Sequence, residues 1–161
     1  MSPALGDLLN NSEKRENQIK EALDIGRVFK MTLSIEEGVT PKNPGETTRD
    51  KLFVVIGFDN DIIIGVLLIN SKVNRNLPNS LKDLQYPISA VDYDFLRHNS
   101  FVDCSSIKPI KIEKFKEQFD WKNSFSPIKK DDLELIIGAV KESPSVTPKI
   151  LKRFGLDDGS K

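Results

Sequence analysis

The sequence contains a single cysteine and a single histidine, and this scarcity excludes several kinds of functional site. Because Cys104 has no second cysteine to pair with, an internal disulfide and a cysteine-based zinc site are both excluded. Such sparing use of cysteine fits a reducing compartment. No histidine lies near Cys104 in sequence, so we expect a small buried apolar residue there rather than a nucleophile. His98 is a candidate acid/base group because histidine is the usual side chain for that role, but its segment is more typical of a surface turn.

The chain also lacks an excess of charge of either sign and a long apolar run. Lys and Arg together number 24, and so do Asp and Glu, which excludes a basic footprint of the kind that duplex DNA requires over a whole domain. A local basic patch remains compatible with this balance. The longest apolar run, Ile62 to Ile69, is too short for a membrane span, and Met1 to Asp7 lacks the features of a signal peptide. We therefore expect a cytoplasmic protein without membrane contact.

A hairpin near the middle of the chain is the strongest structural signal. Two apolar runs rich in β-branched residues, Leu52 to Gly57 and Ile62 to Ile69, are separated by the turn-forming segment Phe58 to Asp61. Neither run alternates strictly, which predicts strands that are covered on both faces, as in a small closed barrel. The second run ends in the polar cluster Asn70 to Asn74, so an amide and a hydroxyl are expected at the end of a buried strand.

The other segments predict a mixed α+β chain with one core, as the length of 161 residues suggests. Helical spacing and stop signals, or runs of β-forming residues, place the other elements. Helices are predicted over Pro3 to Asp24, Lys111 to Phe119, Leu133 to Val140 and Thr147 to Phe154. Strands are predicted over Arg27 to Ile35, Pro87 to Val91 and Phe101 to Asp103. Long loops are predicted over Glu36 to Asp50 and Lys72 to Tyr86.

The order of these segments resembles the PemK/MazF family of toxin–antitoxin toxins, within the wider MazF/CcdB-like barrel group. The family's glycine-initiated first strand is similar to Gly26 to Leu33, and its polar loop and second strand are similar to Pro44 to Ile56. Its next strand, which ends in Ser or Thr, is similar to Val66 to Ser71. The strand before its short helix resembles Ser100 to Ile110, and its C-terminal helix resembles Asp131 to Lys141.

The resemblance implies a mainly β fold with helices (α+β), built on a small SH3-like barrel. It divides the chain into an N-terminal helical extension, residues 1–25, and a barrel domain with C-terminal helices, residues 26–161. The extra helix is an addition that the core toxins lack. A homodimer and an antitoxin protein are the partners that the resemblance implies, together with single-stranded RNA.

The activity that the resemblance implies is cleavage of single-stranded RNA without a metal ion or other cofactor. The 2′-hydroxyl attacks the adjacent phosphate, so a fixed cation and proton-transferring groups are needed there. The residues that the resemblance assigns to catalysis are Arg49, Lys51 and Ser71. Those assigned to RNA binding are Asn70, Lys72 and Asn74.

One departure from the family keeps other interpretations open. The family's Arg-Pro pair before the second strand is missing, and either Arg49 or Lys51 takes the place of the catalytic arginine. A non-catalytic barrel that binds a protein or nucleic acid through its rim is therefore the main alternative, and a gyrase-directed poison is a weaker one. Asn70 and Ser71 also have an ordinary interpretation as turn residues, and Arg49 and Lys51 as a solvated loop.

Overall fold

The computed structural model describes the backbone of residues 5–157 and the side chains of residues 13–157. The α-helices are α1 (Leu5–Ala22), α2 (Asn79–Lys82), α3 (Ile112–Gln118), α4 (Lys130–Glu142) and α5 (Pro148–Arg153). The strands are β1 (Val28–Ser34), β2 (Thr48–Asp59), β3 (Ile63–Asn70), β4 (Gln85–Ile88), β5 (Ser100–Asp103), β6 (Lys108–Lys111) and β7 (Ser124–Phe125). Two short 3₁₀ turns lie at Ile35–Glu37 and Trp121–Asn123.

The strands described here form one antiparallel sheet, so the predicted α+β class is confirmed. Its order is β4-β5-β3-β2-β1-β7, and β6 also pairs with β3. The predicted hairpin is confirmed as β2 and β3, whose turn includes Asn60 with a positive φ of 53°. β3 has three neighbours, because β6 pairs with its first half and β5 with its end. This hairpin is therefore the centre of the sheet.

Both faces of the hairpin are buried, as its sequence predicts. On one face, Phe53, Val55 and Val66 pack in a cluster with residues of α1 and α3. On the other face, Val54 and Leu67 belong to a second cluster that includes residues of α4 and α5. A strand whose neighbouring positions both enter a core cannot show polar alternation, which explains the continuous apolar runs in the sequence.

The N-terminal helix is continuous through its polar middle and is attached to the sheet at its C-terminal end. Ile19 and Ala22 are buried in the same cluster as Phe29 and Phe115. An amphipathic helix gains most of its stability from such an apolar contact. The polar stretch in the middle of α1 therefore does not have to pack against another element. The proposed division into an extension and a barrel domain remains a prediction about folding units.

The predicted helices and most strands are confirmed with small shifts at their ends, and three predictions were wrong in detail. Thr48–Asp50 begins β2 rather than ending the preceding loop, because these polar residues pair with β1. The strand expected at Pro87 to Val91 is shifted toward the N-terminus, at Gln85–Ile88. The predicted loop Lys72 to Tyr86 holds the short helix α2 and the start of β4. Pro3 and residues 158–161 lie outside the described residues, and the latter belong to Asp157 to Lys161, for which the sequence predicts a frayed tail.

Two glycines in the hairpin let the C-terminal helix approach the sheet. Gly57 pairs with Gly65 across β2 and β3, next to a shift in strand register. A Cβ on Gly57 would lie 2.3 Å from the carbonyl oxygen of Phe154, and a Cβ on Gly65 would lie 2.7 Å from its ring. The Phe154 side chain therefore occupies the space that two missing side chains leave open.

With respect to membranes, none of the helices in residues 5–157 has the length and hydropathy of a spanning segment.

We predict that Gly57→Ala and Gly65→Ala each lower the free energy of unfolding, by about 1–3 kcal/mol, because the added methyl group overlaps Phe154. Gly57→Ala should be the more harmful, since the atom it meets belongs to the backbone and cannot rotate away. Urea titrations followed by circular dichroism measure both effects.

Gly138→Ala provides the matched control, because Gly138 lies inside α4 and a Cβ there would meet nothing within 4 Å. Helix propensity predicts that this change raises the free energy of unfolding by about 0.5–1 kcal/mol. Equal unfolding midpoints for all three variants would contradict the packing of Phe154 on the glycine pair.

Candidate functional site

A cavity of about 440 Å³ opens where the central strands leave the apolar core. β2 contributes Lys51, and β3 contributes Leu68 and Asn70. Leu68 belongs to the apolar cluster that contains Phe53, and Lys51 and Asn70 lie beyond that cluster on the same face of the sheet. Two segments that carry no sheet hydrogen bonds, residues 38–40 and residues 71–77, form the rim. We call this space the basic cavity, and it is lined further by β4, β5 and β6.

All six residues that the sequence singled out line this one cavity. They are the three assigned to catalysis and the three assigned to RNA binding: Arg49, Lys51, Ser71, Asn70, Lys72 and Asn74. β2 and β3 are antiparallel neighbours, and their paired ends bring Arg49 and Lys51 to the segment that follows β3. Arg49, Ser71, Lys72 and Asn74 are exposed at the mouth, whereas Lys51 is buried.

Positive charge predominates in the cavity. Its lining includes four cationic side chains and one carboxylate, that of Asp103. Among the residues described, Arg49, Lys72 and Lys108 form no hydrogen bond or ion pair through their side chains. Their guanidinium and ammonium groups are therefore free to bind an incoming anion. A concave site with one sign of charge also focuses the electric field and attracts ligands of the opposite sign.

Lys51 is the most perturbed cation in the cavity. Only 7% of its surface is exposed, and its Nζ donates a hydrogen bond to Oδ1 of Asn70. Burial lowers the pKa of Lys51 to about 8, and repulsion by Arg49 adds to the effect, while attraction by Asp103 opposes it. A lysine with such a pKa exchanges its proton near neutral pH, which an ordinary surface lysine does not do. The amine is therefore suited to proton transfer as well as to charge stabilisation.

Asp103 is held rigidly by hydrogen bonds from β4 and from the turn after β5. Its Oδ1 accepts from Nε2 of Gln85 at 2.8 Å and from the backbone N–H of Ser105 at 3.0 Å. The Ser105 hydroxyl donates to the same oxygen. A carboxylate fixed in this way keeps one orientation toward the cavity.

A buried ion pair supports the rim on the side of residues 38–40. Glu37 accepts hydrogen bonds from the backbone and hydroxyl of Ser34, and the Lys114 ammonium of α3 binds the same carboxylate. Burial by itself raises the pKa of Glu37, but the bonds from Lys114 and Ser34 outweigh it, so that the pKa is lowered. The next residue, Gly38, has a φ of 84°, and its missing Cβ leaves room for Nζ of Lys108, 2.9 Å from the position of that Cβ. This glycine therefore lets the Lys108 side chain extend along the rim.

The lining of the basic cavity does not include His98, Cys104 or Trp121. His98 is exposed, as a surface turn predicts. Cys104 is fully buried, and burial raises the pKa of its thiol to about 12, so it is the inert apolar residue expected. Trp121 is 44% exposed and contacts the buried ring of Phe119 at a centroid distance of 5.3 Å.

A second polar cluster joins α4 to the strand β4 and the segment after it. The hydroxyl groups of Tyr86 and Tyr93 both donate hydrogen bonds to the carboxylate of Asp132. Burial first, and then the bond to Asp132, raises the pKa of Tyr86 to about 12, and the same causes raise the pKa of Tyr93. These bonds hold the N-terminal end of α4 in place, and both tyrosines stay protonated near neutral pH.

Three further residues with charged or amide side chains line the basic cavity and were missed by sequence reasoning, namely Gln85, Asp103 and Lys108. Asp103 ends the predicted strand β5, whereas Gln85 lies on a strand shifted from its predicted place and Lys108 lies on β6, which was not predicted. Gln85 and Asp103 face each other across β4 and β5, and Lys108 pairs with Val66 of β3. Pairings between distant segments leave no local pattern. The sequence offers one local signal in the segment Val102 to Lys108. Its charged residues, Asp103 and Lys108, each lie between apolar residues.

The arrangement is suited to binding phosphate and transferring protons. Cations without partners among the described residues attract the anion, and the buried amine of Lys51, whose pKa is lowered to about 8, also lines the cavity. Amide and hydroxyl groups of Asn70 and Ser71 add donors. Within the described residues, no three side chains of His, Cys, Asp or Glu cluster closely enough to hold a metal ion.

We predict that the wild-type protein gains stability relative to Lys51→Met as the pH rises from 7 to 9.5. The folded protein releases the Lys51 proton near pH 8, whereas the unfolded chain keeps it to about pH 10.4, so unfolding takes up a proton in this window. Higher pH therefore favours the folded state of the wild type, by on the order of 1–2 kcal/mol across the window. Urea titrations of both proteins at each pH measure it. A difference in free energy that is constant with pH would contradict the buried, perturbed amine.

Comparison of the chain with models of protein families and with curated proteins gave no match. The function is therefore argued from the chemistry of the basic cavity.

Proposed function

We propose that the basic cavity binds the phosphates of single-stranded RNA and cleaves the strand by attack of a 2′-hydroxyl on the neighbouring phosphate. The observation that carries the proposal is the group of four cations around one carboxylate, three of them without partners among the described residues. Phosphate recognition by several fixed cations supplies most of the affinity of proteins for nucleic acid. Because the chain has no net charge, attraction of nucleic acid requires a local group of cations such as this one.

The chemistry needs charge stabilisation and two proton transfers. The 2′-oxygen forms a bond to phosphorus and loses its proton, while the bond from phosphorus to the 5′-oxygen breaks and that oxygen gains a proton. The products are a 2′,3′-cyclic phosphate and a 5′-hydroxyl. The guanidinium of Arg49 can hold two phosphate oxygens at once and remains charged throughout. Lys51 is the group best suited to exchange a proton, and Ser71 can donate a hydrogen bond to a phosphate oxygen.

We also propose that the sheet curves into a small SH3-like barrel of the PemK/MazF type. Two features support this finer description of the fold. β5 and β6 pair with successive parts of β3, and β2 shifts register between Val55 and Gly57. Bulges and changes of partner along one strand are the devices that bend a sheet toward closure.

A toxin–antitoxin role follows from the same resemblance. A growth-arresting ribonuclease requires an inhibitor in the cell, and the resemblance adds a homodimer as the active form. Single-stranded RNA, an antitoxin protein and a second copy of the chain are therefore the proposed partners, in a cytoplasmic setting.

A non-catalytic barrel of the same class is the second candidate, and the state of Lys51 favours it. In an ungapped match this lysine takes the place of the family's arginine, and its Nζ already donates a hydrogen bond to Asn70. A single ammonium cannot form the bidentate hydrogen bonds by which a guanidinium binds phosphate. Such a protein would bind nucleic acid through the cavity and leave it intact.

We predict that the purified protein cuts a long single-stranded RNA in the presence of EDTA, leaving cyclic phosphate ends. Arg49→Ala and Lys51→Met should each reduce the cleavage rate by about 10²-fold or more, because each removes a charge next to the developing phosphorane. Sequencing of fragment ends, together with gel quantification, gives both the sites and the rates.

Arg97→Ala is the matched control for the loss of an arginine, since Arg97 is exposed and does not line the cavity. Its cleavage rate should equal that of the wild type. Intact RNA that is nevertheless bound, with affinity lost in Arg49→Ala, would replace the ribonuclease by the non-catalytic binder. Equal cleavage by all variants would show that the activity belongs to a contaminant or to another site.

A further inference from the structure

The single carboxylate of the basic cavity has one oxygen without a partner among the described residues. All three hydrogen bonds to Asp103 end on Oδ1, from Gln85 and from two donors of Ser105. No buried side-chain oxygen or nitrogen in the described residues lacks a partner, so Oδ2 must be accessible. Because Asp103 lines the cavity, this oxygen is an acceptor available to a ligand there.

Gln85 supplies a second acceptor beside the first. Its Nε2 donates to Oδ1 of Asp103 at 2.8 Å and to the carbonyl oxygen of Leu81 at 3.3 Å. Both neighbours are acceptors, so the amide nitrogen must be on that side and Oε1 is left over. Gln85 is only 8% exposed and lines the cavity. Because the Gln85 side chain is nearly buried and its nitrogen has two hydrogen-bond partners, it keeps a fixed position, and Oε1 stays available as an acceptor.

The two acceptors are neighbours. Gln85 and Asp103 are directly paired in the register of β4 and β5, and a hydrogen bond joins their side chains. Everything else charged in the cavity is cationic. The cavity therefore combines cations that suit phosphate with a pair of adjacent acceptors that phosphate would avoid. Such a pair needs a ligand group that presents two hydrogen-bond donors side by side.

We propose that Gln85 and Asp103 read a guanine base of the RNA strand held in the basic cavity. This inference rests on the proposed function and names its substrate preference. Guanine presents two donor groups next to each other, N1–H and the 2-amino group, on its Watson–Crick edge. Adenine, cytosine and uracil each place an acceptor beside their donor on that edge. Two fixed acceptors therefore match guanine and leave an unfavourable contact with each of the other bases.

The test compares the binding of guanosine, inosine, adenosine, cytidine and uridine 5′-monophosphates to the wild-type protein by calorimetry. Guanosine monophosphate should bind roughly tenfold to a hundredfold more tightly than the adenosine, cytidine and uridine compounds. Inosine monophosphate lacks the 2-amino group but keeps N1–H, so its affinity should lie between them. Inorganic phosphate measures the contribution of the cations alone.

The variant Asp103→Asn keeps the size of the side chain and its bonds to Gln85 and Ser105 through the amide oxygen. It places an N–H₂ group where Oδ2 was, so the preference for guanosine monophosphate should disappear while inorganic phosphate still binds. Asp94→Asn is the matched control, because Asp94 is exposed and does not line the cavity. It should keep the full preference.

Each outcome separates the two proposals. Equal affinity for all five nucleotides, with phosphate binding retained, would overturn guanine reading and leave the phosphate site intact. A loss of affinity for every nucleotide and for phosphate in Asp103→Asn would assign Asp103 to the structure of the cavity and also overturn the inference. Failure of all ligands to bind the wild type would overturn the proposed function as well. The comparison of guanosine with inosine monophosphate uses the wild-type protein only and is unaffected by the folding of the variant.

Discussion

The burial of both faces of the β2–β3 hairpin is the constraint on which the rest of the structure depends. Strands that are apolar on both sides need cover on both, and α1 and α3 supply it on one side while α4 and α5 supply it on the other. Where the hairpin leaves these layers, its next side chains are polar. Lys51 and Asn70 meet there and satisfy each other, and the basic cavity begins at this boundary. The chemistry of the site is therefore a consequence of where the core ends.

The cavity combines two kinds of polar group that need different ligands. Its cations lie on β2, on β6 and in the segment after β3, and its acceptors lie on β4 and β5. A nucleotide carries both complementary groups, a phosphate and a base edge, on a single molecule. The burial that perturbs Lys51 also fixes Gln85, since a polar side chain with little access to water keeps only the orientation in which its hydrogen bonds are made. The proposed proton transfer and the proposed base recognition would therefore depend on the same boundary between core and cavity.

The hairpin and the main helices could be predicted because each depends on local sequence patterns, and the resemblance named six residues that line the cavity. Apolar runs mark β2 and β3, and the polar residues that end them must lie near each other once the hairpin forms. Gln85, Asp103 and Lys108 could not be found in this way, since only the pairing of distant short strands brings them to the cavity. The start of β2 was misjudged for a related reason. Charged residues such as Arg49 have no strand preference of their own and are held by β1.

The central claim is that Lys51 belongs to a site that binds phosphates of single-stranded nucleic acid. Its amine can be labelled and its titration followed by NMR, with and without a DNA oligonucleotide, which cannot be cleaved because it has no 2′-hydroxyl. A bound phosphate stabilises the charged ammonium, so we expect the pKa of Lys51 to rise above its value of about 8 in the free protein. A titration curve that the oligonucleotide leaves unchanged, at a concentration where it is bound, would contradict the account.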